Sequence, residues 1–244
     1  MKTLSLILPS YNEAKRLPRT FELLVAAKNA GVFQAVKLET IWIVDDGSRD
    51  ETASIAEKAK SLLPEIQVHR VLPNQGKGNA IHEGLKISKS DWCLIADADS
   101  ATPWDQFQKL WKVTEQDSTP VVIGSRDLPE SDIQTSQSWV REHMGKTFNL
   151  IVRLITGLPF KDTQCGFKLI HRPSIQSFIG LLQVKRFAWD VELLMFARNR
   201  KLKVAEVPVA WAHQDESHVD PLKDSSEMLF RVIQLRLRLF FQSA

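Results

Sequence analysis

The sequence predicts an α/β protein built on a mostly parallel central sheet flanked by helices. Two observations carry that expectation. Short apolar runs recur through the first half of the chain, and longer amphipathic stretches separate them. The 244 residues, 43% hydrophobic and 25% charged, have the composition of an ordinary globular protein and the length to bury a substantial core.

The apolar runs are Leu4–Leu8, Ile41–Val44, Val68–Leu72, Trp92–Ala96 and Val121–Ile123. Each has the length of a buried strand. Phe21 to Asn29 places apolar residues at 21, 24, 25 and 27, as a helix face requires. Thr52 to Leu63 sets Ile55, Ala56, Ala59, Leu62 and Leu63 on one side, and Asn79 to Ile87 forms a third such stretch. In the second half, residues 138–158 predict an amphipathic helix closing near Gly157 and Pro159. A short strand follows at Phe167–Ile170, a helix at Asp190–Arg200, a strand at Lys203–Val207 and a last helix from Ser225 to Phe241. Residues 127–138, with Pro129, Ser131, Asp132, Ser136 and Ser138, read as a mobile loop.

Several classes fall away. The apolar content is too high for a mainly disordered chain. Two cysteines, Cys93 and Cys165, make no disulfide scaffold and read as reduced buried thiols. No run approaches the ~18 apolar residues of a membrane span. Met1 to Leu8 leads into Pro9-Ser10-Tyr11-Asn12-Glu13 and not a small-residue cleavage site, so it reads as a first strand and not a leader. A net charge of +3 does not point to nucleic acid.

Open parallel sheets bind ligands outside the carboxyl ends of their strands. The five runs are followed by Pro9-Ser10-Tyr11-Asn12-Glu13, Asp45-Asp46-Gly47-Ser48, Asn74-Gln75-Gly76-Lys77-Gly78-Asn79, Asp97-Ala98-Asp99 and Gly124-Ser125-Arg126. Five polar loops converging on one crevice predict a site for something polar and phosphorylated. Taken singly, Asp45-Asp46-Gly47-Ser48 fits a capped turn as well as a pair of acceptors for hydroxyl and ring N–H groups. Gly76-Lys77-Gly78 is like a phosphate loop but lacks the Walker spacing. Asp97-Ala98-Asp99 brings two carboxylates to one strand end, where a hard divalent cation takes oxygen ligands and shares substrate phosphates.

The ordered set Leu8-Pro9-Ser10-Tyr11-Asn12-Glu13, Val44-Asp45-Asp46-Gly47-Ser48, Asn74-Gln75-Gly76-Lys77-Gly78 and Asp97-Ala98-Asp99 resembles the family 2 inverting glycosyltransferases of the GT-A nucleotide-diphospho-sugar transferase fold. Asp162-Thr163-Gln164-Cys165-Gly166-Phe167-Lys168 and Phe187-Ala188-Trp189-Asp190-Val191-Glu192-Leu193-Leu194 resemble the dolichyl-phosphate (polyprenyl-phosphate) β-glucosyltransferases within it. The resemblance runs from about residue 4 to 240. It implies one GT-A domain, with residues 1–126 as the nucleotide-sugar half, 127–219 as the acceptor half and 220–244 as an amphipathic C-terminal helix.

The resemblance also implies roles. Pro9, Tyr11, Glu13, Asp45, Asp46, Lys77, Asp97 and Ala98 would hold the UDP-sugar donor. Asp99, with Asp97 and with His213 as a third candidate, would hold Mg²⁺ or Mn²⁺, which neutralises the departing diphosphate. The related mannosyl-phosphate transferases carry a further polar ligand where this chain has Ala101, so the metal needs another partner. Arg126, Arg141, Gln164 and Lys168 would face the acceptor phosphate, since Arg grips phosphate bidentately. Asp190 stands where the superfamily carries its catalytic base, and Asp99 shares in catalysis through the metal. A phosphate monoester is already ionised near neutral pH, so Asp190 need not abstract a proton from it. Glu192 is expected to support the helix start.

The C-terminal stretch interleaves Met228, Leu229, Val232, Ile233, Leu235, Leu237, Leu239, Phe240 and Phe241 with Arg231, Arg236 and Arg238. It fits a core or dimer helix, or a helix lying on an anionic membrane. Helix 139–156 offers a second such surface. The expected activity is transfer of a hexose, glucose from UDP-glucose first, to a polyprenyl phosphate, peripherally on the cytoplasmic face of a membrane. GDP-mannose as donor, a sugar hydroxyl as acceptor and a silent nucleotide-sugar-binding protein are the rivals. Homo-oligomerisation stays open.

Overall fold

The computed structural model describes residues 1–135, 139–212 and 221–242, without the side chains of 134–144, 146, 221–224 and 240–242. In chain order the elements are β1 (Thr3–Ser10), α1 (Leu17–Asn29), β2 (Lys37–Asp45), α2 (Thr52–Lys58), β3 (Ile66–Arg70), α3 (Lys77–Ile87), β4 (Trp92–Ile95), α4 (Gln106–Asp117) and β5 (Val121–Ser125). Then follow β6 (Asp132–Thr135), α5 (Trp139–Thr156), β7 (Lys168–His171), a single turn α6 (Arg172–Ile175), α7 (Trp189–Asn199), β8 (Val204–Pro208), β9 (Ala210–Ala212) and α8 (Pro221–Gln242).

Seven strands form one sheet in the order β3-β2-β1-β4-β7-β5-β8. All pairings are parallel except those of β7, which runs antiparallel to both β4 and β5. The strands other than β7 therefore end at one edge, and β7 begins there. Its Lys168 lies level with Ile95 of β4 and Ile123 of β5. The chain thus delivers the start of β7 to the same crevice as the ends of β1 to β5.

The period-2 alternation of strands sorts side chains to two faces. Leu4, Leu6, Leu8, Ile41 and Ile43 pack with Phe21 and Leu24 of α1, Ala56 of α2, and Phe107, Leu110 and Trp111 of α4. Ile7, Val44, Cys93 and Ile95 pack on the other face with Ala80, Ile81 and Leu85 of α3, Val191 and Leu194 of α7, and Val232 and Leu235 of α8. Each fully buried aliphatic side chain contributes roughly 1.5–3 kcal/mol of transfer free energy, so helices on both faces are required. Both thiols are buried and unpaired.

Three differences from the sequence expectations have local causes. Residues 127–138 are not loop throughout: β6 pairs in parallel with β9 as a two-stranded sheet beside the cleft. Helix α4 was not anticipated; its buried residues Phe107, Leu110, Trp111 and Thr114 keep helical spacing but sit among Gln106, Lys109, Lys112 and Glu115. The stretch from Thr52 tightens into a 3₁₀ turn at Ala59–Ser61 instead of staying α-helical to Leu63.

Candidate active site

The strand ends enclose a cleft of about 630 Å³. Pro9, Tyr11 and Glu13 reach it from the end of β1, Asp46 from β2, Lys77 from the start of α3 and Asp97, Ala98 and Asp99 from β4. Arg126 comes from β5, Gln164, Gly166 and Phe167 from the approach to β7, and Asp190 from the first turn of α7. Apart from Gly166 and Phe167, these are residues expected at the site, and the fold brings them to one place.

Others it places differently. Asp45 is fully buried and is not on the cleft wall. It accepts from the Ser48 amide at 2.9 Å and pairs with Arg70 at 2.8 Å, so it braces the β2 turn from behind. Lys168, expected toward an acceptor phosphate, has no exposed surface. Its ammonium donates to the Cys165 carbonyl and lies 2.8 Å from Asp190 Oδ1, over the Trp189 ring. The antiparallel entry of β7 points this cation under Asp190 and away from the open cleft. His213 lies outside the described residues, as does the side chain of Arg141; Ala212 donates to the Ala101 carbonyl at 2.9 Å.

The Asp97 to Asp99 turn is tight. Ser100 takes φ +53°, and the Ala101 amide donates to Asp99 Oδ1 at 3.0 Å. Lys77 Nζ lies 2.5 Å from Asp97 Oδ1. Burial opposes the charge on Lys77, yet Asp97 and then Asp190 outweigh it and raise its pKa. Burial likewise pushes Asp97 up, and Lys77 pulls it below the usual carboxylate range. Asp99 is raised, by burial first and by neighbouring Asp97 second. Gly166 makes this arrangement fit: a Cβ there would lie 2.2 Å from Asp97 Oδ2.

Most cleft carboxylates have a cation. Asp97 has Lys77, Asp190 has Lys168, and Glu13 takes Arg16 at 2.5 and 2.6 Å. Asp162, buried behind the wall, takes both edges of Arg126 at 2.7 and 3.0 Å. Burial alone would raise Asp162, but Arg126 holds it down at about 2. Arg126 also lies over the Trp211 ring. Asp46 accepts the amides of Gln75 and Gly76 at 3.0 and 2.6 Å. Asp99, among the described residues, faces no cation within ion-pair distance. Gln164 Nε2 on the cleft wall and Ser100 Oγ in the Asp97–Asp99 turn are buried with no hydrogen-bond partner among the described residues.

This donor set fits a divalent cation that takes substrate oxygens. Among the described residues no cluster of three His, Cys, Asp or Glu could hold a metal by itself. Asp99 is a strand-end carboxylate with no ion-paired cation among the described residues, and Mg²⁺-type ions are commonly bound by one or two carboxylates plus phosphates and water.

Gly76-Lys77-Gly78 is packed closely against residues 183–187. The amides of Gln75 and Gly76 are taken by Asp46, and that of Asn79 by the Lys185 carbonyl at 2.9 Å. A Cβ on Gly78 would meet the Val184 carbonyl at 2.3 Å. Residues 183–187 thus lie directly on the start of α3. Fully buried Glu192 holds them there, accepting the Gln183 and Val184 amides at 2.8 Å; it anchors this loop and does more than support its own helix. Sequence reading did not single out Arg16, Asp162, Gly166, Ser100 or the wall residues Arg186 and Phe187. Glu13-Ala14-Lys15-Arg16 carried the one local signal, an acid and a base three apart.

The model for Glycosyl transferase family 2 matches residues 5–178. The chain belongs to that family. It is a glycosyltransferase. This family 2 chain is 34% identical over 242 residues to a protein of Dictyostelium discoideum called dolichyl-phosphate beta-glucosyltransferase, covering 96% of this chain and 74% of that one. A Homo sapiens protein of the same name is 34% identical over 246 residues, covering 97% and 76%. Among solved structures, mannosyl-3-phosphoglycerate synthase from Rubrobacter xylanophilus superposes with a TM-score of 0.70 at 21% identity over 99% of this chain and 75% of that one. Glucosyl-3-phosphoglycerate synthase from Mycobacterium tuberculosis, solved with Mn²⁺, UDP-glucose and phosphoglyceric acid, gives 0.68 at 19% identity over 97% and 79%. These likenesses assign the GT-A fold.

Proposed function

We propose that this family 2 enzyme transfers glucose from UDP-glucose to a dolichyl-type polyprenyl phosphate with inversion at C1. The observation that carries the reading is the charge arrangement of the cleft. Asp99, raised by burial and by Asp97, has no ion-paired cation among the described residues, as suits a metal–diphosphate site, while Asp190 is paired with Lys168, as suits an anionic acceptor. The two relatives named above, 34% identical over nearly the whole chain, support glucose and the lipid phosphate.

In this reading Pro9, Tyr11, Glu13 and Asp46 line the nucleoside end, and Lys77 fixes Asp97 beside the ribose. Asp99, with Asp97 beside it, would hold Mg²⁺ or Mn²⁺, which supplies neutralising charge to the leaving diphosphate. Gln164, on the cleft wall, offers an unpaired polar atom to the sugar or phosphates. An acceptor phosphate oxygen attacks C1, and the electron pair of the C1–O bond leaves on UDP. No proton need move, because the monoester is already ionised. Asp190 stays a carboxylate near the positive charge that develops at C1. Arg126 and Arg141 are the cations proposed for the acceptor phosphate, Arg126 while held by Asp162.

Among the described residues no helix is long and apolar enough to cross a membrane. We place the enzyme peripherally on the cytoplasmic face. Leu150 and Leu154 of α5 and Phe230, Ile233 and Leu237 of α8 are all exposed, on two helices that pack together. Arg236 flanks the α8 ridge, as a membrane-surface helix requires.

Calorimetric titration with UDP and GDP, with and without Mn²⁺, tests the donor assignment: UDP preference that needs metal is expected, and GDP preference overturns it. A second reading has one observation in its favour. Burial, opposed by Lys168 and Lys77, pushes Asp190 up to about 6, which suits a general base for a hydroxyl acceptor. Asp190→Asn separates the two. Loss of roughly tenfold or less fits a phosphate acceptor, whereas about 10²–10⁴-fold is the scale of a lost base.

A further inference from the structure

A second cavity, of about 670 Å³, runs between α8 and residues 183–188, within the size range of roughly 300–1,000 Å³ typical of ligand sites. It adjoins the cleft: Arg186, Phe187 and Met228 line both. At the other side it reaches the exposed ridge of α8, since Leu237 lines it and is also 53% exposed. Its lining is amphipathic. Val184, Phe187, Met228 and Leu235 are apolar; Lys185, Arg186, Arg231 and Arg238 outnumber Glu192 and Glu227.

The walls are fixed. Glu192 takes the amides of Gln183 and Val184, and Arg238 donates to the Leu181 carbonyl at 2.9 Å while its other nitrogen lies 3.4 Å from Glu192. Near the cleft the cations are loosely held. Arg186 is 3.6 Å from Glu227, and Arg231 donates to Gln234 at 3.1 Å. An exposed ion pair at 3.6 Å is worth little, and Arg231 holds only a neutral neighbour on its own helix, so an incoming phosphate can displace both contacts.

We propose that this groove holds the phosphate-proximal isoprene units of the acceptor and passes its phosphate along Arg231 and Arg186 to the cleft. The inference rests on the lipid-phosphate reading above. A lipid acceptor must put its phosphate at C1 while its tail stays in the bilayer. The groove joins those two places, with apolar lining for the tail and excess positive charge for the head.

Two measurements on the full chain test it. A photoreactive farnesyl phosphate, mapped by mass spectrometry, labels residues 183–188 or 228–237, and unlabelled farnesyl phosphate competes while phosphatidylserine does not. Gln234→Trp, at an exposed groove position, lowers the ratio of kcat/KM for a long polyprenyl phosphate over a ten-carbon one by at least tenfold, with UDP affinity unchanged. Labelling confined to other surfaces, equal competition by phosphatidylserine, or an unchanged ratio overturns the groove assignment while leaving the transferase reading intact. A wild-type enzyme that glucosylates no polyprenyl phosphate of either length sinks both.

Discussion

Lys168→Met removes one partner of a buried ion pair and keeps the side-chain volume. The pair is 2.8 Å long, with side-chain exposures of 0% for Lys168 and 6% for Asp190. At an effective dielectric of about 20 its Coulomb attraction is about 6 kcal/mol, much of it spent on desolvating both ions. Removing one partner of such a pair costs about 3–5 kcal/mol, or a fall of about 10 °C in Tm for a chain of this size. The pH dependence distinguishes this from lost packing. Asp190 sits at about 6 in the fold against 3.8 as its ordinary value. A folded pKa above the unfolded one means stability is fully present below about pH 4 and lost as pH rises through about 6, some 3 kcal/mol in all. Without Lys168 the carboxyl is raised further, so the loss continues to higher pH. The variant is therefore expected to trail wild type most at pH 8 and least at pH 5, where Asp190 is already largely protonated. About 1 kcal/mol remains at pH 5 from the lost bond to the Cys165 carbonyl. Denaturant unfolding of the metal-free proteins at both pH values measures the difference. Equal destabilisation at pH 5 and pH 8, or none at pH 8, refutes the account.

Gly166→Ala forces a Cβ onto Asp97 Oδ2; a carboxylate displaced by about 1 Å costs on the order of 10²-fold in function, read as transferase activity and as weakened UDP–Mn²⁺ binding by calorimetry. Asp99→Asn abolishes the Mn²⁺-dependent part of UDP affinity and leaves the metal-free part within about twofold, since the Ala101 amide bond to Oδ1 survives the change. Leu150→Ser with Leu154→Ser and Phe230→Ser leaves folding unchanged, because all three are exposed, and lowers co-sedimentation with anionic vesicles at least tenfold, each lost apolar contact being worth about 1.5–3 kcal/mol when fully buried.

The parallel half of the fold was legible because each strand is a short apolar run and each functional loop follows one directly. Asp97-Ala98-Asp99 is readable for that reason: its position at the end of Trp92–Ile95 is its meaning. The rest depends on contacts that no local pattern carries. β7 enters the sheet between β4 and β5 from a distant part of the chain, against the direction of its neighbours. Nothing in Phe167-Lys168-Leu169 announces that the lysine will be sealed under a carboxylate 22 positions later. Arg126 and Asp162 are separated by 36 residues, and Gly166 matters because of an aspartate on another strand. Asp45 and Asp46 are adjacent and look equivalent; strand alternation sends one behind the wall and the other into the cleft.

The pairing at position 190 bears on the proposed anionic acceptor. A site built for a sugar hydroxyl benefits from an unpaired carboxylate poised to accept a proton. A phosphate monoester brings at least one negative charge and would be repelled by the same group. Here the carboxylate at position 190 is paired from below by a lysine that has no exposed surface, so the cleft meets the acceptor with that charge already balanced. Asp99, with no ion-paired cation among the described residues, lies where the proposed metal and diphosphate would balance it. In Lys168→Met the Asp190 carboxyl, raised further by burial, carries its unbalanced charge only at high pH, so KM for a phosphate acceptor should rise more than UDP affinity falls at about pH 9, and the difference should shrink toward about pH 7.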